Sequence, residues 1–250
     1  MNENSNLNIC KNCGNHFSGN YCNNCRQSVK TLRITWKELF LQFSHAFFHA
    51  NKGIFFTIKE LFIHPGNTIL DYLNGKRINH FNPFLFLLLV GGLSTFLYTT
   101  IHLKFPNEAL ELNRIEVINP TLAHKFFAAL GFNFIILLTI TDFIFYYKAG
   151  FNLPELIVSN AFQAGQIIVF SIIFLPLIFV QDYFFGNNDS IFDIRSFEYL
   201  ISLVFLFFTR YQFYKAKGNY YLITKIIIQL VIVYFVNDWI ISYLIMFLKS

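Results

Sequence analysis

Between Pro83 and Leu103 the chain reads PFLFLLLVGGLSTFLYTTIHL, 21 residues without Asp, Glu, Lys or Arg. A helix rises about 1.5 Å per residue and the hydrocarbon core of a bilayer is about 30 Å thick, so roughly 20 such residues cross it. Further apolar runs follow, and together they predict spans at Pro83 to Leu103, Phe126 to Tyr147, Leu156 to Val180, Phe197 to Tyr214 and Leu222 to Phe247. Arg210 interrupts the fourth. If that segment lies along the interface instead, four spans remain and the C-terminus returns to the side of the N-terminus. With 55% hydrophobic and only 13% charged residues, a water-soluble domain of this length would expose far too much apolar surface. The expected fold class is therefore an all-α polytopic membrane protein of about five transmembrane helices (83–250), with a small N-terminal zinc ribbon (1–30) and amphipathic inner-face helices (31–82).

Lys and Arg set the orientation. Lys11, Arg26, Lys30, Arg33, Lys37, Lys52, Lys59, Lys76 and Arg77 precede the first span, and in a five-span arrangement Lys148, Arg210, Lys215, Lys217 and Lys225 fall on the same side. Lys104, Arg114, Lys125, Arg195 and Lys249 fall opposite, so the count of 14 against 5 predicts a cytoplasmic N-terminus in the inner membrane. Tyr146, Tyr147, Tyr220 and Tyr221 would then line the inner interface, with Trp239 and Tyr243 near the outer one. The first 30 residues are polar and have no apolar h-region or cleavage site, so no secretory signal is expected there.

Those residues hold the cysteines, Cys10, Cys13, Cys22 and Cys25, as two C-x-x-C pairs separated by eight residues. Two such pairs supply four soft ligands for tetrahedral Zn²⁺, and a Cys₄ set leaves no open position for catalysis. The expected cofactor is one structural Zn²⁺ stapling a domain too small to fold by burial alone. A reducing cytosol disfavours disulfides between the same residues. Gly14 suits a knuckle turn with positive φ, and Phe17 and Tyr21 are placed to pack across the hairpin between the pairs. Redox sensing is disfavoured without a βαβ setting, and nucleic-acid binding without repeated fingers or a basic stripe.

Between knuckle and first span, Thr35 and Glu38 form a T-x-x-E capping box, after which Trp36, Leu39, Phe40, Phe43 and Phe47 share one helical side. Ile54 to Ile63 and Thr68 to Leu73 read as two more short helices, punctuated by Pro65-Gly66 and Gly75. They are too short to span, and either lie on the inner leaflet, with Lys37, Lys52, Lys59, Lys76 and Arg77 toward anionic headgroups, or pack against the bundle.

CKNCGNHFSGNYCNNCRQ, RITWKELF and TIKELFIHPGNTILDYLNGKR, closed by Pro83, resemble a family of uncharacterised bacterial membrane proteins, defined by a domain of unknown function with an N-terminal C-x-x-C-G knuckle. The resemblance implies a zinc-ribbon membrane protein and supplies no activity. Members usually read C-G-Q after the last cysteine, where this chain has Arg26 before Gln27, and tend to carry a Glu-His pair opening a later span, where it has Glu155-Leu156.

Among candidates for chemistry, His45 and His49 stand at i, i+4 but lack the Glu of H-E-x-x-H. Asp142 is the clearest ionisable residue inside a span and can either snorkel to the inner interface or serve a proton or substrate. Asn160, Gln163 and Gln166 form a polar stripe on the third span, with Asn133 and Gln229 on others. No phosphate loop, nucleophile elbow or paired carboxylate motif is present. The expected function is a non-enzymatic adaptor or scaffold, whose partners are the bilayer and a protein bound at the knuckle. The alternative is a small transporter or channel component using the third span and Asp142.

Overall fold

The computed structural model describes residues 7–31, 33–41, 53–104, 120–185, 194–215 and 221–249. His45, His49, Phe43, Phe47 and Lys52 lie outside them. A two-stranded antiparallel ribbon, β1 (Asn8–Ile9) and β2 (His16–Phe17), is followed by helix α1 over residues 36–41, α2 (Ile54–Ile63) and α3 (Pro65–Leu73). Five longer helices follow among the described residues: α4 (Pro83–Lys104), α5 (Pro120–Phe145), α6 (Leu153–Phe185), α7 (Ile194–Lys215) and α8 (Leu222–Lys249).

The protein is mostly helical, as expected. Among the described residues, two stretches, Leu153–Gln181 and Leu222–Ile240, are long and apolar enough to cross a membrane, whereas Pro83–Tyr98 and Asn133–Phe145 are shorter apolar pieces. The fourth expected span falls within α7, which carries Glu198, Arg210 and Lys215 and is the least apolar of the five. Five crossing helices are therefore more than length and apolarity alone support.

Alongside an apolar core, the bundle carries large apolar side chains on its outside and polar groups within. Leu93 and Phe96 on α4, Ile140 and Ile144 on α5, Ile173 and Phe184 on α6, Val204 on α7 and Phe235 on α8 face outward, while Asp142, Asn160, Gln163, Gln166, Arg210 and Gln229 are buried. The long α6 lies centrally, along α4, α5 and α7. Gly165 is needed where α4 meets it, because a Cβ there would come within 2.5 Å of the Phe86 ring.

Helices α2 and α3 pack into the bundle, the second of the two arrangements open from sequence. Pro65 has no N–H, so the helical partner of the Leu61 carbonyl is missing; the Gln166 side chain supplies it, Nε2 donating to Leu61 O at 2.7 Å. Gly66 then lets α3 touch α7 backbone to backbone, since a Cβ would lie 2.4 Å from Phe213 N and 2.6 Å from Thr209 O. Its own N–H donates to Gln212 Oε1 at 3.1 Å. Leu61 and Ile69 are fully buried, and Phe62 wedges against Phe170 (4.7 Å between centroids) and Phe205 (5.8 Å). At the base of this hairpin the Phe81 N–H donates to the buried Thr57 hydroxyl at 2.7 Å. Asn82 then caps α4, accepting from Phe84 N at 2.9 Å and Leu85 N at 3.2 Å, with Pro83 at the first helical position.

Gln166→Leu keeps the volume but orphans the Leu61 carbonyl, and should cost about 1–3 kcal/mol. Gly66→Val should be more damaging because α3 must back away from α7; thermal unfolding of both purified variants in detergent measures the order.

Candidate metal centre and buried polar cluster

The knuckle is built twice by the same backbone device. Gly14 N–H donates to Cys10 O and Arg26 N–H to Cys22 O, each at 2.8 Å, while Cys10 N–H donates to Asn15 O and Cys22 N–H to Gln27 O, each at 2.9 Å. The residue after each pair adopts positive φ, 73° at Gly14 and 64° at Arg26. Glycine does this freely, whereas an L side chain in left-handed conformation costs roughly 1–2 kcal/mol. Arg26 thus stands where glycine would relieve strain.

The four Sγ atoms lie within 4.8 Å of one another, with Cys10–Cys25 at 3.4 Å and Cys13–Cys22 at 3.6 Å. A tetrahedral thiolate site with metal–sulfur bonds of about 2.3 Å has edges of about 3.8 Å, so the cluster fits a single metal ion. The backbone N–H of Cys25 holds the Cys22 thiol down, to about 6, whereas burial pushes the Cys25 thiol up, to about 12. Phe17 packs into this small core; Tyr21, expected beside it, is 67% exposed instead.

Gln27, two residues beyond the last cysteine, fastens the knuckle to the helices. Its buried amide donates to Gly75 O at 2.7 Å and accepts from Arg77 N–H at 3.3 Å. Lys11, inside the first pair, donates to Thr31 O at 2.8 Å, and its stem lies close to Gly75. A second fastening uses Arg33, whose guanidinium makes a bidentate pair with Glu155 at 2.6 and 2.8 Å and also reaches Gly150 O. Glu155 is itself half of a cap on α6: Asn152 N–H donates to its carboxylate, and its N–H to the Asn152 side chain, each at 2.9 Å. The Thr35–Glu38 box forms only halfway, with Glu38 N–H donating to Thr35 Oγ1 at 3.4 Å and the carboxylate turned to Arg77 at 3.8 Å. Trp36 and Phe40 are exposed, while Leu39 packs on the main core.

Within the bundle, Asp142 does not snorkel. It is 1% exposed, turned inward and paired with Arg210, itself 0% exposed. Arg210 also donates to Gln163 Oε1 at 3.1 Å and Gln229 Oε1 at 2.9 Å. The Asp142 carboxylate accepts from Asn160 Nδ2 at 2.9 Å and Gln229 Nε2 at 2.8 Å. Gln163 Nε2 reaches Asn160 Oδ1 at 3.1 Å, and Gln229 Nε2 reaches Thr141 Oγ1 at 2.8 Å. Asn160 and Gln163 of the expected polar stripe, Gln229 and Asp142 therefore converge on one point joining α5, α6, α7 and α8, whereas Gln166 turns to Leu61 and Thr209. Arg210 was the residue missed: sequence read it as a basic group at the inner boundary, which now leaves that tally. A partner 68 positions away leaves no local signal. Asn133, the polar residue expected on the second span, pairs separately with Asn237 at 3.0 Å. Among the described residues, no histidine joins a cluster able to hold a metal.

The family model described as "Protein of unknown function (DUF3667)" matches residues 51–96, the segment of α2, α3 and most of α4. No curated protein and no solved structure matches the chain.

Metal binding requires thiolates, so protons compete with it. Affinity should fall as pH is lowered, because Cys25 must give up a proton to bind, and fall more steeply below about 6, where Cys22 also takes one up; chelator competition across pH reads both slopes. In the bundle, Asp142→Leu or Arg210→Met alone should cost about 3–5 kcal/mol by stranding a buried charge, and the double variant less than the sum. Unfolding of the three proteins in detergent supplies the cycle.

Proposed function

We propose that the chain is a five-span inner-membrane protein with a cytoplasmic zinc knuckle serving as a non-enzymatic adaptor. Zn²⁺ is the ion favoured by four thiolates at tetrahedral spacing, and it would be structural. The single observation that carries the adaptor reading is the way the knuckle is mounted. One side is fixed to the base of the helical hairpin through Gln27, while Leu7, Ile9 and Tyr21 on the same small domain stay 63%, 65% and 67% exposed. Large apolar side chains held out by a rigid mount suit a protein partner.

Support for five spans comes from the way α7 hides its polar groups. Arg210 is neutralised by Asp142, and Glu198 accepts from Ser171 Oγ at 2.6 Å. The helix start is capped by Gln181 Oε1, which accepts from Ile194 N–H at 2.9 Å. A helix whose charges are met by its neighbours can lie in hydrocarbon despite its composition. The hairpin α2–α3 would then be a re-entrant element entering from the cytoplasm. A transporter is the second reading, favoured by the buried Asp142–Arg210 cluster.

Replacing Leu7, Ile9 and Tyr21 by Ser in the full chain should remove partners recovered in mild detergent while one zinc per chain is retained. An unchanged partner set would sink the adaptor reading. Side-specific reporters fused after Asn188, Lys217 and Ser250 should read outside, inside and outside; an inside signal at Ser250 with an outside one at Asn188 would reduce the spans to four.

A further inference from the structure

The facing sides of α6 and α7 carry polar pairs at two levels. On the knuckle side, Gln163 meets Arg210 at 3.1 Å and Gln166 meets the Thr209 hydroxyl at 3.2 Å. Toward the far end, Ser171 meets Glu198 at 2.6 Å, and beyond it Gln181 caps α7. A turn from Glu198, the Ser202 hydroxyl is buried without a partner, and so are Arg210 Nε and the Tyr146 hydroxyl at the inner cluster. The two carboxylates, Asp142 and Glu198, thus mark the ends of one seam, with about 18 Å of α7 between Arg210 and Glu198.

An aromatic plug lies between the two levels. Phe170 of α6 and Phe205 of α7 lie 4.8 Å apart, and Phe62 from the hairpin stands against both at 4.7 and 5.8 Å. Phe205 sits ten residues from the end of α7 at Lys215, about 15 Å along the helix and so near the bilayer midplane. Phe62 belongs to neither helix of the seam. It arrives on α2, whose continuation α3 is followed by Gly75, the residue whose carbonyl Gln27 holds.

We propose that the α6–α7 seam is a proton pathway closed at the midplane by Phe62, with Glu198 as its outer and Asp142 as its inner proton site. Withdrawal of Phe62 lets water join the two levels. A proton from the outer solution binds the Glu198 carboxylate, passes along that water to Asp142 and neutralises it. Arg210 stays held by Gln163 and Gln229. Release of the proton from Asp142 to the inner solution restores the ion pair. One proton and one positive charge cross per cycle, driven by the membrane potential. The groups along the seam can exchange protons or hydrogen-bond water, whereas nothing described there cages a dehydrated metal cation, and Arg210 repels one.

This inference rests on the five-span reading, which the reporter fusions test by themselves. The full chain is placed in potassium-loaded vesicles holding a trapped pH dye, and valinomycin imposes an inside-negative potential. Phe62→Ala should acidify the lumen faster than wild type. Adding Glu198→Gln, which preserves the Ser171 contact, should return the rate to that of protein-free vesicles, and Asp142→Asn should do the same. Because Asp142→Asn risks misfolding, Glu198→Gln decides the matter, with helicity and monodispersity checked for each variant. The proposal is overturned if correctly folded Phe62→Ala protein conducts no faster than empty vesicles, or if Glu198→Gln leaves its flux unchanged.

Discussion

A guanidinium with no solvent exposure is the constraint around which the bundle is organised. Removing a charge from water costs several kcal/mol after relaxation, and the cost is offset by a counter-charge together with further hydrogen bonds. Arg210 obtains them from three helices: Asp142 of α5, Gln163 of α6 and Gln229 of α8. No shift of α7 along its axis keeps that set. Apolar contacts are non-directional, so the polar cluster, rather than the apolar contacts, fixes the register of four helices.

The hairpin depends on that register. Gly66 meets α7 at Thr209 and Phe213, on either side of Arg210, and Gln166 must stand opposite the carbonyl that Pro65 leaves unpaired. Leu61 O would otherwise be a bare acceptor in an apolar setting, which explains how a helix break is tolerated inside the bundle. The family match over residues 51–96 coincides with this hairpin and the helix after it. That segment carries the His64-Pro65-Gly66 turn on which the insertion depends, whereas the rest of the bundle is defined mainly by apolarity, a weak signature.

The knuckle is mounted on the same element from outside. Its fold is local, set by two C-x-x-C turns, but its position comes from Gln27 at the end of α3 and from Arg33 at the start of α6. The cysteine knuckle therefore grips both the hairpin base and the central helix. The turn that presents Gln27 begins at Cys22, whose N–H donates to Gln27 O, so the cysteine cluster and the fastening share one backbone segment.

Sequence by itself determined the features that depend on near neighbours. The four cysteines and their turn at Gly14 follow from spacing, the breaks at Pro65 and Gly75 from backbone chemistry, and the apolar helices from composition. Asp142 and the stripe of Asn160, Gln163 and Gln166 could be picked out as polar residues in apolar surroundings, though not what they faced. Only the tertiary structure decided that Arg210 neutralises Asp142, that Gln166 serves Leu61, that Gln27 and Arg33 hold the knuckle down, and that α2 and α3 insert rather than lie flat. Each of these contacts joins residues far apart in the chain. The physical reason is that a residue's type tells what partner it requires, but only the folded chain brings that partner within hydrogen-bonding distance.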